Sequence, residues 1–218
     1  MLQAASLDFL KKLAKNNNKA WFDKHRDEYA VAKEDFELFV TSLLQQMTAI
    51  DPAFEGQKAK DCIFRIFRDV RFSKDKTPYK AHFSAGLSRD GRKFPGAGYY
   101  IHIEPGKSMA GGGMWMPDAP LLKAVRQEID YNLKEFNGIV TKASFKKYFK
   151  EVEGEALKTL PQGYTSDNPA INFLKMKSFI VHHDLGDKDV LSKTFVKKCV
   201  DTFGAMKPFI DFMNRSLD

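Results

Sequence analysis

The chain has 218 residues, of which 43% are hydrophobic and 13% aromatic, and its formal net charge at pH 7 is +7. This composition excludes intrinsic disorder, and the length fits one domain that spans residues 1–218. No apolar run approaches the roughly 20 residues of a membrane span, and the N-terminus lacks a signal-peptide pattern, so we expect a cytoplasmic protein without a membrane partner. Cys62 and Cys199 lie within apolar patterns and are expected to be reduced core residues.

Helices are predicted for residues 6–50. A short first helix ends at the asparagines 16–18, and a longer second helix runs from Lys19 to the stop at Asp51-Pro52. The second helix carries an apolar stripe with helical spacing, formed by Trp21, Tyr29, Phe36, Phe39, Val40, Leu43, Leu44 and Met47. His25 follows Trp21 by four residues, and we expect it to stack on the indole in a structural role.

Residues 61–116 alternate between apolar and polar side chains, which predicts a central antiparallel sheet. The predicted order is a strand at 61–72, a lysine-rich turn at 73–80, strands at 81–89 and 99–104, and a strand or extended loop at 109–116. Asp90-Gly91 is a strong hairpin signal between the second and third strands. Arg68 falls on the apolar face of the first strand, so we expect it to be an ion-paired core residue.

Residues 118–218 are predicted to be helical with one added strand. Asp118 should cap a helix that ends at Asn137-Gly138, and a shorter helix should lie near 144–149. A strand is expected at 178–183, and Asp187 should cap a last long helix that breaks or kinks near Pro208. The predicted fold class is therefore α+β, with an antiparallel sheet of three to five strands packed against helices.

Positive charge is concentrated in residues 58–107, which hold 12 basic and 5 acidic side chains. A local excess of this kind favours an anionic partner, although a merely solvated basic surface is the more common interpretation. The predicted ligand-binding residues on the open sheet face and its turn are Arg65, Asp69, Arg71, Lys74, Lys76, Lys80 and Tyr100. Gly111, Gly112 and Gly113 either supply N–H groups to the anion or permit a close structural crossing.

Catalysis would require His82 or His102 as general acid or base, oriented by Asp69 or Glu104. Alternatively, these carboxylates only neutralise neighbouring arginines. The sequence contains no catalytic signature, nucleotide-binding loop or zinc-type spacing, so no metal site and no cofactor are predicted, although His182 and His183 could also converge with this group.

Three functions remain open at this point. Binding of a phosphate-bearing or other anionic small molecule is favoured, because the positive charge is so localised. An enzyme that acts on such a ligand is the alternative, with His82, His102 and Glu104 as its catalytic residues. A nucleic-acid-binding module is the third, since aromatic and basic residues are interleaved, but aromatic residues at alternate strand positions more often belong to a core.

Several long strings resemble one family over nearly the whole chain. They are N-N-K-A-W-F-D-K-H-R-D-E-Y from Asn17, F-R-D-V-R-F-S-K-D-K-T-P-Y-K from Phe67, G-Y-Y-I-H-I-E-P-G from Gly98, E-P-G-K-S-M-A-G-G-G-M-W-M-P from Glu104 and P-A-I-N-F-L-K-M-K-S-F from Pro169. With them the chain resembles a family of hypothetical bacterial and fungal proteins that share a domain of unknown function. The resemblance implies one globular domain and no established reaction, and it adds Trp21, Arg26, Lys175 and Lys177 to the positions worth testing.

Overall fold

The structure is a computed structural model, and it describes residues 1–217. The α-helices in these residues are α1 Ala4–Lys15, α2 Lys19–Lys24, α3 Arg26–Met47, α4 Ala59–Cys62, α5 Ala119–Tyr131, α6 Leu133–Thr141, α7 Ala143–Lys146, α8 Ile171–Leu174, α9 Asp187–Val190 and α10 Phe195–Asn214. Short 3-10 helices lie at Pro52–Phe54, Gly91–Lys93 and Arg215–Leu217. No helix within the described residues combines the length and the apolar character needed to cross a membrane.

Four strands form one antiparallel sheet with the order β1-β2-β3-β4, and the α+β fold class is confirmed. The strands are β1 Phe83–Leu87, β2 Gly98–Ile103, β3 Ser108–Met114 and β4 Phe179–Leu185. In β2, Tyr99, Ile101 and Ile103 are buried, whereas Tyr100 and His102 are partly exposed. The alternation that predicted this strand therefore reports its two faces correctly.

The described residues group into two compact units, each made of three chain segments. Unit 1 comprises Met1–Lys93, Tyr100–Ala110 and Asp184–Asp201, and unit 2 comprises Phe94–Tyr99, Gly111–His183 and the chain from Thr202 onward. The single domain predicted for residues 1–218 stays a prediction.

Each unit has its own aromatic core. In unit 1, the ring of Phe83 is stacked on Phe36, with the two centroids 5.3 Å apart. In unit 2, Phe136 lies 4.8 Å from Phe173 and 5.2 Å from Phe212, again between ring centroids. All four of Phe36, Phe83, Phe136 and Phe212 are buried, so each unit excludes water from a large apolar area.

The N-terminal helices differ from prediction at His25. The predicted second helix is divided there, and His25 separates α2 from α3. Its imidazole stacks on Trp21 with the ring centroids 3.9 Å apart, and its Nδ1 lies 2.7 Å from the Trp21 carbonyl oxygen. The predicted stacking is confirmed, and the contact of Nδ1 with the helix backbone is one reason for the break at this residue.

The predicted first strand, at 61–72, is wrong. Between α4 and Lys80, the described residues form isolated backbone bridges instead of a strand. These bridges join Ile63 to Ala85 and Phe67 to Tyr79. Pro78 explains why the pairing does not extend: the amide of Arg68 donates to the Pro78 carbonyl at 2.9 Å, but proline has no N–H to return the second bond of that pair. Arg65, Asp69 and Arg71 are consequently not on a strand of the sheet.

Arg68 is not a core residue but ties this irregular segment together. Its side chain is 24% exposed, and its guanidinium forms an ion pair with Asp75. The same Nη1 donates to the Thr77 carbonyl at 3.1 Å and also to the Thr77 hydroxyl. The ion pair expected for Arg68 is therefore present, but within the segment that follows it rather than in the core.

We expect Arg68→Ala to lower the free energy of unfolding by about 1–2 kcal/mol, because several charge-assisted hydrogen bonds are lost together. Arg71→Ala is the matched control: its pair with Asp69 is exposed, with 77% and 47% of the two side chains accessible, and should leave the unfolding midpoint unchanged. Urea titrations of both variants measure the difference. Equal midpoints for the two variants would contradict the role given to Arg68.

The C-terminal half contains one confirmed cap and several differences from prediction. Asp118 caps α5, since its carboxylate accepts a hydrogen bond from the Leu121 amide at 3.0 Å. The helix predicted from Asp118 to Asn137-Gly138 is divided at Asn132, and its predicted stop is wrong because α6 continues through Gly138. Asp187 begins the short α9 instead of the last long helix. α10 is not broken at Pro208, and a kink there stays a prediction. Buried apolar side chains flank Gly138 and Pro208, and their packing outweighs the local preference for a helix end.

The two cysteines are free and buried, as predicted. Burial raises the pKa of Cys62 to about 11 and that of Cys199 to about 12. Both thiols are therefore protonated at neutral pH and unreactive, which suits their role in the core.

Candidate functional site

The candidate site lies in unit 1, where His82, His102 and Glu104 come together. His82 directly precedes β1, His102 is in β2, and Glu104 directly follows β2. The imidazole rings of the two histidines have their centroids 4.1 Å apart, and His102 Nε2 lies 2.9 Å from Glu104 Oε2. The structure therefore brings together the three residues predicted as catalytic, although His82 is 20 residues before His102 in the sequence.

A hydrogen-bonded row orients His102. Its Nδ1 lies 3.2 Å from the Tyr100 hydroxyl, so that one ring nitrogen contacts a phenol and the other a carboxylate. With the proton on Nε2, the imidazole donates to Glu104 and accepts from Tyr100. The side chain of Ser84, which is buried in β1, is in turn hydrogen-bonded to Tyr100. His102 thus has a fixed ring orientation.

Glu104 is held by the turn that joins β2 to β3. The Ser108 hydroxyl accepts a hydrogen bond from the Glu104 amide at 3.1 Å and donates one to the Glu104 carbonyl at 3.0 Å. Lys107 Nζ is 3.7 Å from the second carboxylate oxygen, but 77% of the lysine side chain is exposed. The carboxylate position is consequently set mainly by the backbone and by His102.

His82 is chemically different from His102. In the described part of the chain, neither of its ring nitrogens has a hydrogen-bond partner. Burial, together with the neighbouring His102, lowers the pKa of His82 to about 4. The imidazole is therefore neutral at physiological pH, and a nitrogen lone pair is available beside the His102–Glu104 pair.

Lys80 adjoins this group and has no carboxylate partner in residues 1–217, and Arg65 lies within electrostatic range of Lys80 and of Asp69. Lys80 is partly buried, and its Nζ lies 5.5 Å from the centroid of the Phe64 ring. Burial and the positive charge of Arg65 both lower the pKa of Lys80. Lys80 also influences His82 electrostatically, and the Phe64 ring is 6.3 Å from that of Tyr100. Lys80 and Arg65 therefore form a cationic edge on the side of His82 and Tyr100.

The other predicted anion-binding residues are less available. The carboxylate of Asp69 accepts hydrogen bonds from Arg71 at 3.0 and 2.7 Å, which lowers the pKa of Asp69. Lys76 Nζ donates to the Val70 carbonyl at 2.9 Å, and Lys74 is exposed. Of the predicted lysines on the turn, only Lys80 is thus tied to the His82 group by an electrostatic interaction that the structure records.

Gly111, Gly112 and Gly113 lie in β3, and close packing accounts for all three. A Cβ on Gly111 would lie 2.6 Å from the Val181 oxygen, and one on Gly113 would lie 2.0 Å from the Phe179 oxygen. Gly112 is equally restricted by the Gly98 oxygen at 2.4 Å. The structural crossing, one of the two interpretations of these glycines, is sufficient to explain them, and the anion-donor interpretation is not needed.

The remaining histidines and the residues added by the resemblance have other partners. His182 Nδ1 is 3.0 Å from Glu153, and His183 Nδ1 is 3.2 Å from the Tyr148 carbonyl oxygen. Arg26 is bonded to Asp23 and Lys177 to Glu155, each at 2.8 Å. Trp21 contacts His25, and Lys175 is partly exposed after α8.

Sequence reasoning missed Ser84, Ser108 and Phe64 as parts of the site. Alternation did assign Ser84 to the same face as His82, so this residue could have been included. Ser108 acts through a turn, and Phe64 reaches Lys80 and Tyr100 from an irregular segment. Alternation assigned Phe64 to the buried face of a predicted strand that does not form, and Ser108 carries no periodic signal that would mark it in advance.

Comparison with known proteins identifies a family but no activity. A family model described as a conserved hypothetical protein (DUF2461) matches residues 5–212. No curated protein matches the chain, and no solved structure does.

Proposed function

We propose that this chain, which belongs to the family of conserved hypothetical proteins DUF2461, binds a small anionic ligand beside His82, His102 and Glu104. The ligand carries a phosphate or a carboxylate. Lys80 and Arg65 attract and hold the anion, and the neutral His82 imidazole and the Tyr100 hydroxyl offer it further polar contacts.

One observation carries this proposal: Lys80 is partly buried and lies close enough to Arg65 to be repelled by it, and it has no carboxylate partner among residues 1–217. Two like charges repel each other, and the partial burial of Lys80 adds to that cost. An anion that binds between or beside them removes both penalties at once. A bound anion would offset the cost of holding the partly buried Lys80 beside a second cation.

Acid–base catalysis on the ligand is the second candidate, and its supporting observation is the unpartnered His82 next to the His102–Glu104 pair. In that function His82 accepts a proton from the ligand, and the nearby Glu104 carboxylate stabilises the positive charge that develops on the His82 ring. Nucleic-acid binding has less support, because two of the basic side chains already have partners. Arg71 is hydrogen-bonded to Asp69, and Lys76 is hydrogen-bonded to the Val70 carbonyl.

Anion binding is tested by calorimetric titration of metal-free protein with inorganic phosphate and with a panel of nucleotides and sugar phosphates. Wild-type protein should bind at least one of them, and its melting temperature should rise, since a ligand at 100 times its Kd adds about 2.7 kcal/mol of stability. Lys80→Gln should weaken that binding at least about tenfold, the effect of losing one charge-assisted hydrogen bond.

Lys33→Gln is the matched control, because Lys33 is exposed on α3 and should leave the affinity unchanged. Phosphorus NMR of the same mixtures separates binding alone from turnover of the ligand. An unchanged melting temperature across the whole panel, or equal affinities for Lys80→Gln and Lys33→Gln, would remove the proposal.

A further inference from the structure

The group of His82, His102 and Glu104 has the composition and the geometry of a metal site. One ligand atom from each residue can be chosen so that all of these atoms lie within 4.8 Å of one another. Among residues 1–217, this is the group of histidine, cysteine and acidic residues that meets this condition. Two imidazoles and one carboxylate are a ligand set that proteins use for divalent zinc and iron with coordination positions left open.

The spacing between two of the ligand atoms is close to what an ion of this size requires. In a tetrahedral site with bonds of about 2.0–2.1 Å, two ligand atoms are about 3.3 Å apart. His102 Nε2 and Glu104 Oε2 are now 2.9 Å apart and share a proton. A metal ion can take the place of that proton if the two atoms separate by about 0.4 Å, which side-chain rotation permits.

Tyr100 and Ser108 supply the outer support that such sites need. When the metal takes Nε2, the His102 proton moves to Nδ1, which is 3.2 Å from the Tyr100 hydroxyl and can donate to it. Ser108 holds the Glu104 backbone on both its N–H and its carbonyl. The ring orientation of one ligand and the backbone of another are thus already set before an ion arrives.

His82 completes the set because it has no other evident use. It is partly buried, and neither ring nitrogen is engaged by a hydrogen-bond partner in the described residues. Its ring is 4.1 Å from that of His102, centroid to centroid. A polar group that is held in a partly buried place without a partner carries a desolvation penalty, which a metal ion would remove.

We propose that His82, His102 and Glu104 bind one divalent transition-metal ion of the zinc or iron(II) class. The remaining coordination positions would take water or an anion that the neighbouring Lys80 attracts. That last feature rests on the proposed function, whereas the metal site itself stands on its three ligands. The metal site and acid–base catalysis exclude each other, because both need the same nitrogen lone pairs.

The test is a titration of metal-free protein with Zn²⁺ and with Co²⁺, without any phosphate. Metal is first removed by a chelating resin, because soluble chelators are anions that compete for the cationic edge. Wild-type protein should take up one ion per chain, and Co²⁺ should give the visible absorption of a site with nitrogen and oxygen ligands. His82→Ala and Glu104→Gln should each weaken Zn²⁺ binding at least about 100-fold, and Tyr100→Phe about 10- to 100-fold.

His182→Ala is the matched control, since it disrupts a histidine–glutamate pair outside the proposed site and should leave Zn²⁺ affinity unchanged. Circular dichroism and the melting temperature of each metal-free variant show whether it is folded. If His82→Ala is unfolded, Glu104→Gln and Tyr100→Phe still test the site. Folded wild-type protein that takes up no stoichiometric ion, or folded His82→Ala that binds Zn²⁺ as tightly as wild type, would overturn the inference.

The two proposals fail separately. Phosphate binding by metal-free protein that takes up no metal would overturn the metal site and leave the proposed function intact. Uptake of one metal ion by protein that binds no phosphate-bearing compound would support the metal site and remove the proposed function. A His102–Glu104 pair with only a structural role would bind neither.

Discussion

Replacing Gly113 by alanine is expected to destabilise the protein by at least about 3 kcal/mol. Gly113 has φ +119°, a conformation that L-residues rarely adopt, and the added Cβ would lie 2.0 Å from the Phe179 oxygen of β4. That oxygen belongs to the backbone of a strand, so it cannot move away at low cost. Unfolding in urea, followed by circular dichroism, measures the change.

Gly138→Ala is the matched control and should have the opposite sign. Gly138 lies inside α6 and is exposed, and a Cβ there would meet no atom within 4 Å. Alanine is the better helix former, so this variant should be more stable by roughly 0.5–1 kcal/mol. A Gly113→Ala protein with wild-type stability but weakened phosphate binding would favour the anion-donor interpretation of the three glycines over the structural crossing.

Phe83→Ala is expected to cost about 3–5 kcal/mol, the usual range for a buried phenylalanine. The ring is 4% exposed and stacks on Phe36, and its centroid is 6.5 Å from each of Phe9 and Tyr29. Its removal leaves a cavity that the surrounding rings cannot fill, and His82 and Ser84 of the site are its chain neighbours. Urea unfolding again measures the loss, and the metal-binding titration shows whether the site is also disturbed.

Phe72→Ala provides the control for the same substitution at the surface. Its side chain is 96% exposed, so its removal creates no cavity and should change stability by less than about 0.5 kcal/mol. Similar losses for both variants would mean that Phe83 is not in the core of unit 1.

The arrangement of His82, His102 and Glu104 explains why sequence motifs do not address a metal site of this kind. Zinc-type signatures bring ligands together by their spacing on one helix or loop, but His82 and His102 are 20 residues apart in the sequence. They meet because β1 and β2 are neighbours in the sheet. The absence of a zinc-type signature therefore excludes only metal sites whose ligands are close together in the sequence. It does not test for a site that strand pairing assembles.

Much of the fold followed from local patterns. Periodicity located the apolar stripe of α3, the aspartate at 118 marked the start of α5, and alternation located β2 with its two faces. Each of these signals is local: helical spacing, a cap three residues from its amide, and side chains that alternate along one strand. Such signals do not depend on what the rest of the chain does.

The errors arose where residues that are distant in the sequence decide the local backbone structure. Alternation predicted a strand at 61–72, but continued pairing there required an N–H from residue 78, which is a proline. Gly138 and Pro208 favour a helix end, yet both lie inside helices whose neighbouring side chains are buried. Packing energies of several kcal/mol exceed helix-propensity differences of about 1 kcal/mol, although a proline costs about 3.

The amino-acid sequence by itself determined which residues could do chemistry. It located the excess of positive charge in residues 58–107 and assigned Tyr100, His102 and Glu104 to one face of a strand. Both results can be obtained from one stretch of sequence, without knowing which other part of the chain packs against it. Only the tertiary structure decided that His82 reaches His102 and that Lys80, rather than Lys74 or Lys76, adjoins them. The reason is register, that is, which residues of two neighbouring strands lie opposite each other. Register depends on how the two strands pair. Alternation along one strand does not reveal it, because alternation is the same for every register that keeps the same face buried.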